Sequence, residues 1–307
     1  MTDSIRFNRH SLESVSLVEV PGGRIQYRFY QPHAEQAAQR TPLIVTHGGP
    51  GGSSIGLYDA LNGLADQRPV IFYDQLGSHG SPAELSREQM TLERFAEEPL
   101  RLMDALAIET AQLLGHSWGG SVITQFCLNH PERVKALVLS SPLLSTLRWI
   151  EDCNTLLKEL SNQGLKGAAL EEAFNRRHFC RSNPAPRALA REQERSNKKL
   201  YEQMWGPSEF AHAGMLGDLD FFPRLREIKA MTLLICGEHD TATPQTMEQA
   251  KQRIGPLAKT VVLPDAGHKT YIDQHSAYVQ TVESFLARND TANDMATTPS
   301  TKAEGTP

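Results

Sequence analysis

The sequence predicts an α/β fold: a mostly parallel central sheet, helices on both faces, and one long helical insertion between two strands. Three observations predict it. Short uninterrupted apolar runs at 42–46, 69–73, 111–114 and 134–141 alternate with stretches of helical spacing, the order expected of a doubly covered parallel sheet. Strand character then disappears from 143 to 222 and returns at 231–236 and 259–264. Between the third apolar run and a helical pattern stands Gly115-His116-Ser117-Trp118-Gly119, a serine flanked by small residues where a strand would turn into a helix.

Val15–Val20 and Arg24–Tyr30 alternate in polarity and are joined by Pro21-Gly22-Gly23, so they read as an antiparallel pair at a sheet edge. The run 42–46 ends in His47-Gly48-Gly49-Pro50-Gly51-Gly52. A glycine-rich loop invites a phosphate-binding reading, but neither Gly-Lys-Ser/Thr nor Gly-x-Gly-x-x-Gly is present. The glycines are better suited to bringing backbone N–H groups close to a developing oxyanion. A helix is expected over 53–65, then a buried strand at 69–73 and a loop over 74–82. Residues 91–106 place Leu92, Phe95, Leu100, Met103 and Leu106 mostly on one face, with Thr91 as N-cap and Pro99 as an expected irregularity. The helix after Ser117 should stop near Asn129-His130-Pro131.

The insertion, 143–222, is charged, helical in pattern and rich in aromatic residues, most of which should be packing residues: Trp149, Phe174, Phe179, Tyr201, Trp205, Phe210, Phe221 and Phe222. Its place between two sheet strands makes it a lid over the carboxyl edge of the sheet. A last helix is expected from about 272 to 288. The stretch from Thr291 onward is small, polar and free of aromatics, and reads as a disordered tail. The expected organisation is therefore a core of 1–142 and 223–288, a helical lid of 143–222, and a tail of 289–307.

A chain of 307 residues suffices for one large domain with an inserted element. The net charge of −5, without a basic stripe, sets a nucleic-acid partner aside. No apolar run approaches the ~18 residues of a membrane span, and Met1 to Arg6 lacks a secretory core, so a cytoplasmic protein without a membrane partner is expected. The four cysteines, Cys127, Cys153, Cys180 and Cys236, have no metal-ligand spacing and read as buried free thiols. No metal and no cofactor are expected, and the chain should act as a monomer or small homo-oligomer on a small molecule or short peptide.

A nucleophilic serine needs a base to take its proton and a third group to orient that base. Gly237-Glu238-His239-Asp240 directly follows one late strand and Asp265-Ala266-Gly267-His268 follows the next, so both loops should rise at the same sheet edge as Ser117. Serine, carboxylate, then histidine is the chain order of α/β hydrolases. Asp240 is expected to orient His268, and His268 to act as general base. Glu238 and Asp265 are rival carboxylates; Asp265, three residues before His268 in the same turn, is poorly placed to orient it. The oxyanion donors should be the N–H groups of Trp118 and Gly49. His116 is expected to pack beneath the turn and His47 to brace the glycine loop, while His79, His212 and His239 read as solvated loop histidines.

His47-Gly48-Gly49-Pro50-Gly51, Tyr73-Asp74-Gln75-Leu76-Gly77, Gly115 to Gly120, Gly237 to Asp240 and Gly267-His268 together resemble the proline iminopeptidase and amino-acid amidase family of α/β hydrolases, over about residues 12–288. The resemblance implies release of N-terminal residues, often proline, from small peptides or amides through an acyl-enzyme and without a metal. It places Asp240 as the triad carboxylate. It also implies that the glutamate of a lid Gly-Pro-x-Glu-Phe motif binds the substrate's free α-amino group; Gly206-Pro207-Ser208-Glu209-Phe210 matches, making Glu209 the candidate amine anchor. Trp205, Phe210 and Thr241 complete the expected substrate-binding set. Two departures bear on the substrate: Thr241 stands where the aminopeptidases carry a second glutamate, and His79 replaces a small residue after Asp-Gln. They keep open an esterase, lactonase or amidase acting on a metabolite without a free amine. Epoxide hydrolases and haloalkane dehalogenases need an aspartate nucleophile, which Ser117 argues against. A non-catalytic ligand receptor on the same scaffold is the reading from another class, disfavoured because all three triad members are present.

Overall fold

A computed structural model of the protein describes residues 10–183 and 187–291. β1 (His10–Val20) and β2 (Gly23–Pro32) form the expected antiparallel edge hairpin, and α1 (Glu35–Ala38) follows. Next come β3 (Leu43–Thr46), α2 (Ile55–Leu61), β4 (Val70–Asp74), α3 (Leu92–Ala105), β5 (Ala111–His116), α4 (Trp118–Asn129) and β6 (Val134–Ser140). The insertion supplies α5 (Thr146–Asn162), α6 (Gly167–Phe174), α7 (Arg187–Glu194) and α8 (Lys198–Met204). β7 (Met231–Gly237), α9 (Pro244–Ile254), β8 (Ala258–Leu263), α10 (Thr270–Asp273) and α11 (His275–Thr291) complete the chain. The eight strands form one sheet in the order β1-β2-β4-β3-β5-β6-β7-β8, parallel from β4 to β8.

Alternation along each strand builds two cores. Ile44, Ile71, Leu113 and Leu137 enter one buried cluster, while Val45, Phe72, Leu114 and Val138 enter another. Because both faces are covered, the strands are uninterrupted apolar runs, and each fully buried side chain stabilises the fold by about 1.5–3 kcal/mol. Among the described residues no helix is long and apolar enough to cross a membrane.

Three expectations change. The helix expected over 53–65 is α-helical only through Leu61 and continues as a tighter turn over Asn62–Asp66. Pro99 lies inside a continuous α3. Burial of Phe95, Ala96, Leu102 and Met103 on that helix offsets the roughly 3 kcal/mol that an interior proline costs. The tail does not begin at 289: α11 runs to Thr291, the Asn289 side chain donates to the carbonyl of Phe285, and Asp290 pairs with buried Arg68 at 2.8 Å. Residues 292–307 lie outside the described residues. The insertion leaves and rejoins the core side by side, through a bridge between Ser145 and Asp220 and a hydrogen bond from Phe221 N to Leu144 O.

Candidate active site

Parallel strands place their carboxyl ends at one edge, and every loop singled out in the sequence emerges there. Ser117 follows β5 with φ 56° and ψ −122°, a left-handed conformation costing on the order of 1–3 kcal/mol in a non-glycine residue. Its neighbours permit the turn: a Cβ on Gly115 would collide with Gly119 O, and one on Gly119 would collide with Thr46 O. Backbone bonds hold it, from Ser117 N to Ser140 O and from Leu143 N to Ser117 O. Ser117 opens into a cavity of about 980 Å³ that Gly48, Gly49, Glu209, His268 and Lys269 also line.

His268 is buried, and its Nδ1 lies 2.9 Å from Asp240 Oδ1. Asp240 is equally buried and accepts from Ser141 Oγ at 2.6 Å, Gly237 N at 3.2 Å and Ala242 N at 2.9 Å. With a carboxylate acceptor at Nδ1, that nitrogen carries the proton and Nε2 is the basic one. The rivals are removed by geometry. Asp265 is exposed beside Arg181, and Glu238 is exposed and accepts from Asp265 N. Nor does Asp240 cap α9, because Thr243 does.

The other expected roles divide. His116 packs beneath the turn, its ring centroid 4.7 Å from that of His268 and its Nδ1 3.2 Å from Ser140 Oγ. Burial, reinforced by the charges of His268 and Lys269, holds its pKa well down. His47 braces the glycine loop, with Nδ1 2.7 Å from Gly48 O. Trp118 opens α4, where a backbone N–H has no intrahelical acceptor, and Gly49 has φ +121°, open to glycine but strained for other residues. His79 is exposed, as expected. His212 is not a solvated histidine: its ring packs 5.1 Å from Trp205, and burial lowers its pKa.

Of the four expected substrate contacts, Glu209 lines the cavity and the other three do not. Glu209 Oε2 accepts from the Tyr201 hydroxyl at 3.2 Å, and Oε1 stands 4.0 Å from His268 Nε2. Burial and the Glu209 charge push the Tyr201 pKa far up, so the hydroxyl stays a donor. Trp205 is a packing residue: it is buried, donates from Nε1 to Ser208 O and meets the Trp149 ring edge-on. Phe210 packs edge-on against Phe174. Thr241 is fully buried, with Oγ1 3.4 Å from Asp240 Oδ1. All four cysteines are buried free thiols, and burial raises Cys127 to about 12.

Sequence reasoning missed the contacts by which the insertion grips this edge. His268 N and Lys269 N donate to His178 O and Phe179 O, each at 2.7 Å. Lys269 Nζ pairs with Glu192 of α7 at 2.7 Å, and the Tyr271 hydroxyl donates to the same carboxylate. The one available signal was a lysine directly after the base histidine.

Residues 41–274 match the model of the α/β hydrolase fold family. The chain is 34% identical to a proline iminopeptidase of Heyndrickxia coagulans, over 88% of this chain and 97% of that protein. It is 29% identical to one of Lactobacillus helveticus, over 89% and 100%. Among solved structures, the crystal structure of a Mycobacterium smegmatis proline iminopeptidase superposes with a TM-score of 0.83 at 29% identity, covering 92% of this chain and 100% of that one.

Proposed function

The chain belongs to the proline iminopeptidase family of α/β hydrolases, and from that premise we propose that it releases the N-terminal residue of short peptides or amino-acid amides through an acyl-enzyme at Ser117. Ser117 Oγ attacks the scissile carbonyl while its proton passes to His268 Nε2. Asp240, on Nδ1, stabilises the imidazolium that forms. The carbonyl oxygen becomes an oxyanion facing the N–H groups of Gly49 and Trp118. As the tetrahedral intermediate collapses, the leaving amine takes the proton from Nε2 and an aminoacyl ester remains on Ser117. Water then gives a proton to His268 as it attacks the ester, and that proton returns to Ser117 as the free amino acid departs.

The observation that carries the substrate assignment is the Glu209 carboxylate, 4.0 Å from the base nitrogen and held by Tyr201 in the cavity that Ser117 enters. In an N-terminal residue the ammonium sits two bonds from the scissile carbonyl carbon, so a carboxylate this close to the reacting centre suits it. Thr241 supplies no second carboxylate, so Glu209 is the anchor of this reading. The insertion acts as a lid that carries this anchor. The test compares prolyl, alanyl and phenylalanyl amides with their N-acetylated forms and with nitrophenyl esters. Acetylation and Glu209→Gln should each lower kcat/KM on the amides by roughly 10- to 150-fold, the worth of one hydrogen bond to a charged group. Equal turnover of acetylated substrates, unaffected by Glu209→Gln, would instead support hydrolysis of esters or lactones lacking an amine.

A further inference from the structure

We infer that His47 and Gln75 are positioning residues: together they form a hydrogen-bond relay that aims the Gly49 amide and locks it to the Trp118 side of the oxyanion site. The inference rests on the function proposed above. Its starting point is a hydrogen-bond chain whose donors and acceptors are fixed by elimination. Gln75 N is a backbone donor and lies 3.0 Å from His47 Nε2, so Nε2 accepts and the proton of the neutral ring is on Nδ1. Nδ1 then donates to Gly48 O at 2.7 Å. That carbonyl belongs to the peptide unit whose N–H is that of Gly49. The Gly48–Gly49 bond is trans, so its C=O and N–H point in opposite directions. Turning Gly48 O toward the ring turns the Gly49 N–H away from it. Gly48 and Gly49 both border the cavity, and a Cβ on Gly48 would come within 3.1 Å of Ser117 Cβ. The imidazole is buried, and burial, the largest influence on it, keeps it neutral, as the relay requires.

The Gln75 side chain supplies the second link, and its orientation is also forced. The indole Nε1–H of Trp118 can only donate, so Gln75 Oε1 accepts it, at 2.9 Å. Gln75 Nε2 donates to His47 O at 2.7 Å. One buried amide thus ties the segment before Gly49 to the residue whose backbone N–H is the other oxyanion donor. Asp74 fastens the far end of the same loop, accepting from Ser54 N at 2.6 Å and Ser53 Oγ at 3.3 Å. β3 and β4 are adjacent and in register at Thr46 and Tyr73, which is why Asp74-Gln75 meets the glycine loop at both ends.

The test uses two substitutions that separate the ring nitrogens. The side-chain nitrogen of asparagine overlays Nδ1 of histidine and that of glutamine overlays Nε2. His47→Asn therefore keeps the donor to Gly48 O, and His47→Gln loses it. On a prolyl anilide, His47→Gln should lower kcat by roughly 100-fold with KM unchanged, the scale of a misplaced oxyanion donor, and His47→Asn should stay within about tenfold of wild type. The affinity for prolyl boronic acid, whose serine adduct mimics the tetrahedral intermediate, should weaken in step with kcat/KM. Binding of prolinol, which has the amine but no carbonyl, should not change. Gln75→Glu keeps the acceptor for Trp118 but sets an oxygen against His47 O, and should lower kcat at least tenfold at constant KM; it carries the same test if a His47 variant fails to fold. Equal activity of the two His47 variants, or prolinol affinity falling together with kcat, would overturn the relay. A wild type that neither cleaves the anilide nor binds the boronate would overturn the proposed function instead.

Discussion

The two sides of the cavity are built differently. At the sheet edge Asp240 and His268 are buried and Ser117 is half-buried, and neighbouring strand ends hold motif residues: Ser117 N donates to Ser140 O, Asp240 accepts from Ser141 and Gly237, and Gln75 donates to His47 O. The insertion that carries Glu209 is held to that edge by long-range charge pairs and loop contacts: Glu192 with Lys269, Arg191 with Asp59, and Asp273 with the amides of Arg181 and Ser182. One side is placed by strand register, the other by side-chain pairs and backbone bonds between loops. Under the proposed function, chemistry belongs to the first and substrate choice to the second.

Breaking the rigid side should have the largest effect. Asp240→Asn removes the acceptor that fixes the His268 tautomer, and kcat should fall by about 10⁴-fold. A steady-state assay checks this, and a loss below about tenfold would mean that Asp240 does not orient the base.

On the insertion side the ion pair of Lys269 and Glu192 is largely buried, with side chains 6% and 14% exposed. Removing one partner from such a pair costs about 3–5 kcal/mol, because the other charge stays buried alone. Lys269→Met or Glu192→Leu singly should therefore destabilise the protein and speed amide exchange in α7, and the double change should recover most of the loss. Additive losses in denaturant melts would show that the pair does not fasten the insertion.

A smaller effect sharpens the contrast from beneath the sheet edge. Glu98 is fully buried, accepts from Leu76 N and Arg94 Nη1, and is pushed by burial from 4.5 to about 7, against the pull of Arg94. The folded protein thus holds this proton more tightly than the unfolded chain. The stability it contributes is complete below about pH 4.5 and is lost as pH rises through about 7, on the order of 3 kcal/mol at most. Urea midpoints between pH 5 and 8 should fall more steeply for wild type than for Glu98→Gln; parallel curves would contradict the assignment.

The same division decided what could be read from the sequence. The turn at Ser117, the glycine loop and the ends of β7 and β8 are contiguous motifs, and strand order alone brings them to one edge. Asp240 is preferred over Asp265 because it lies where the family resemblance puts the carboxylate, and because a carboxylate three residues before the base in the same turn is poorly placed to orient it. The insertion was less legible, since helical spacing shows which residues are apolar and not which face the cavity. Trp205, Phe210 and Thr241, expected to touch substrate, are not among the residues that line the cavity. Lys269 and Glu192 lie 77 residues apart, and Arg68 and Asp290 lie 222 apart, so no local pattern could pair the former or extend the last helix past 288.

Trapping the acyl-enzyme tests the central claim most directly. Rapid quenching of the protein with an aminoacyl nitrophenyl ester, followed by peptide mass analysis, should show one aminoacyl group on the peptide containing Ser117, and none in Ser117→Ala. A fluorophosphonate probe should label the same residue. Wild type that takes up neither group, or Ser117→Ala labelled as strongly as wild type, would contradict the account.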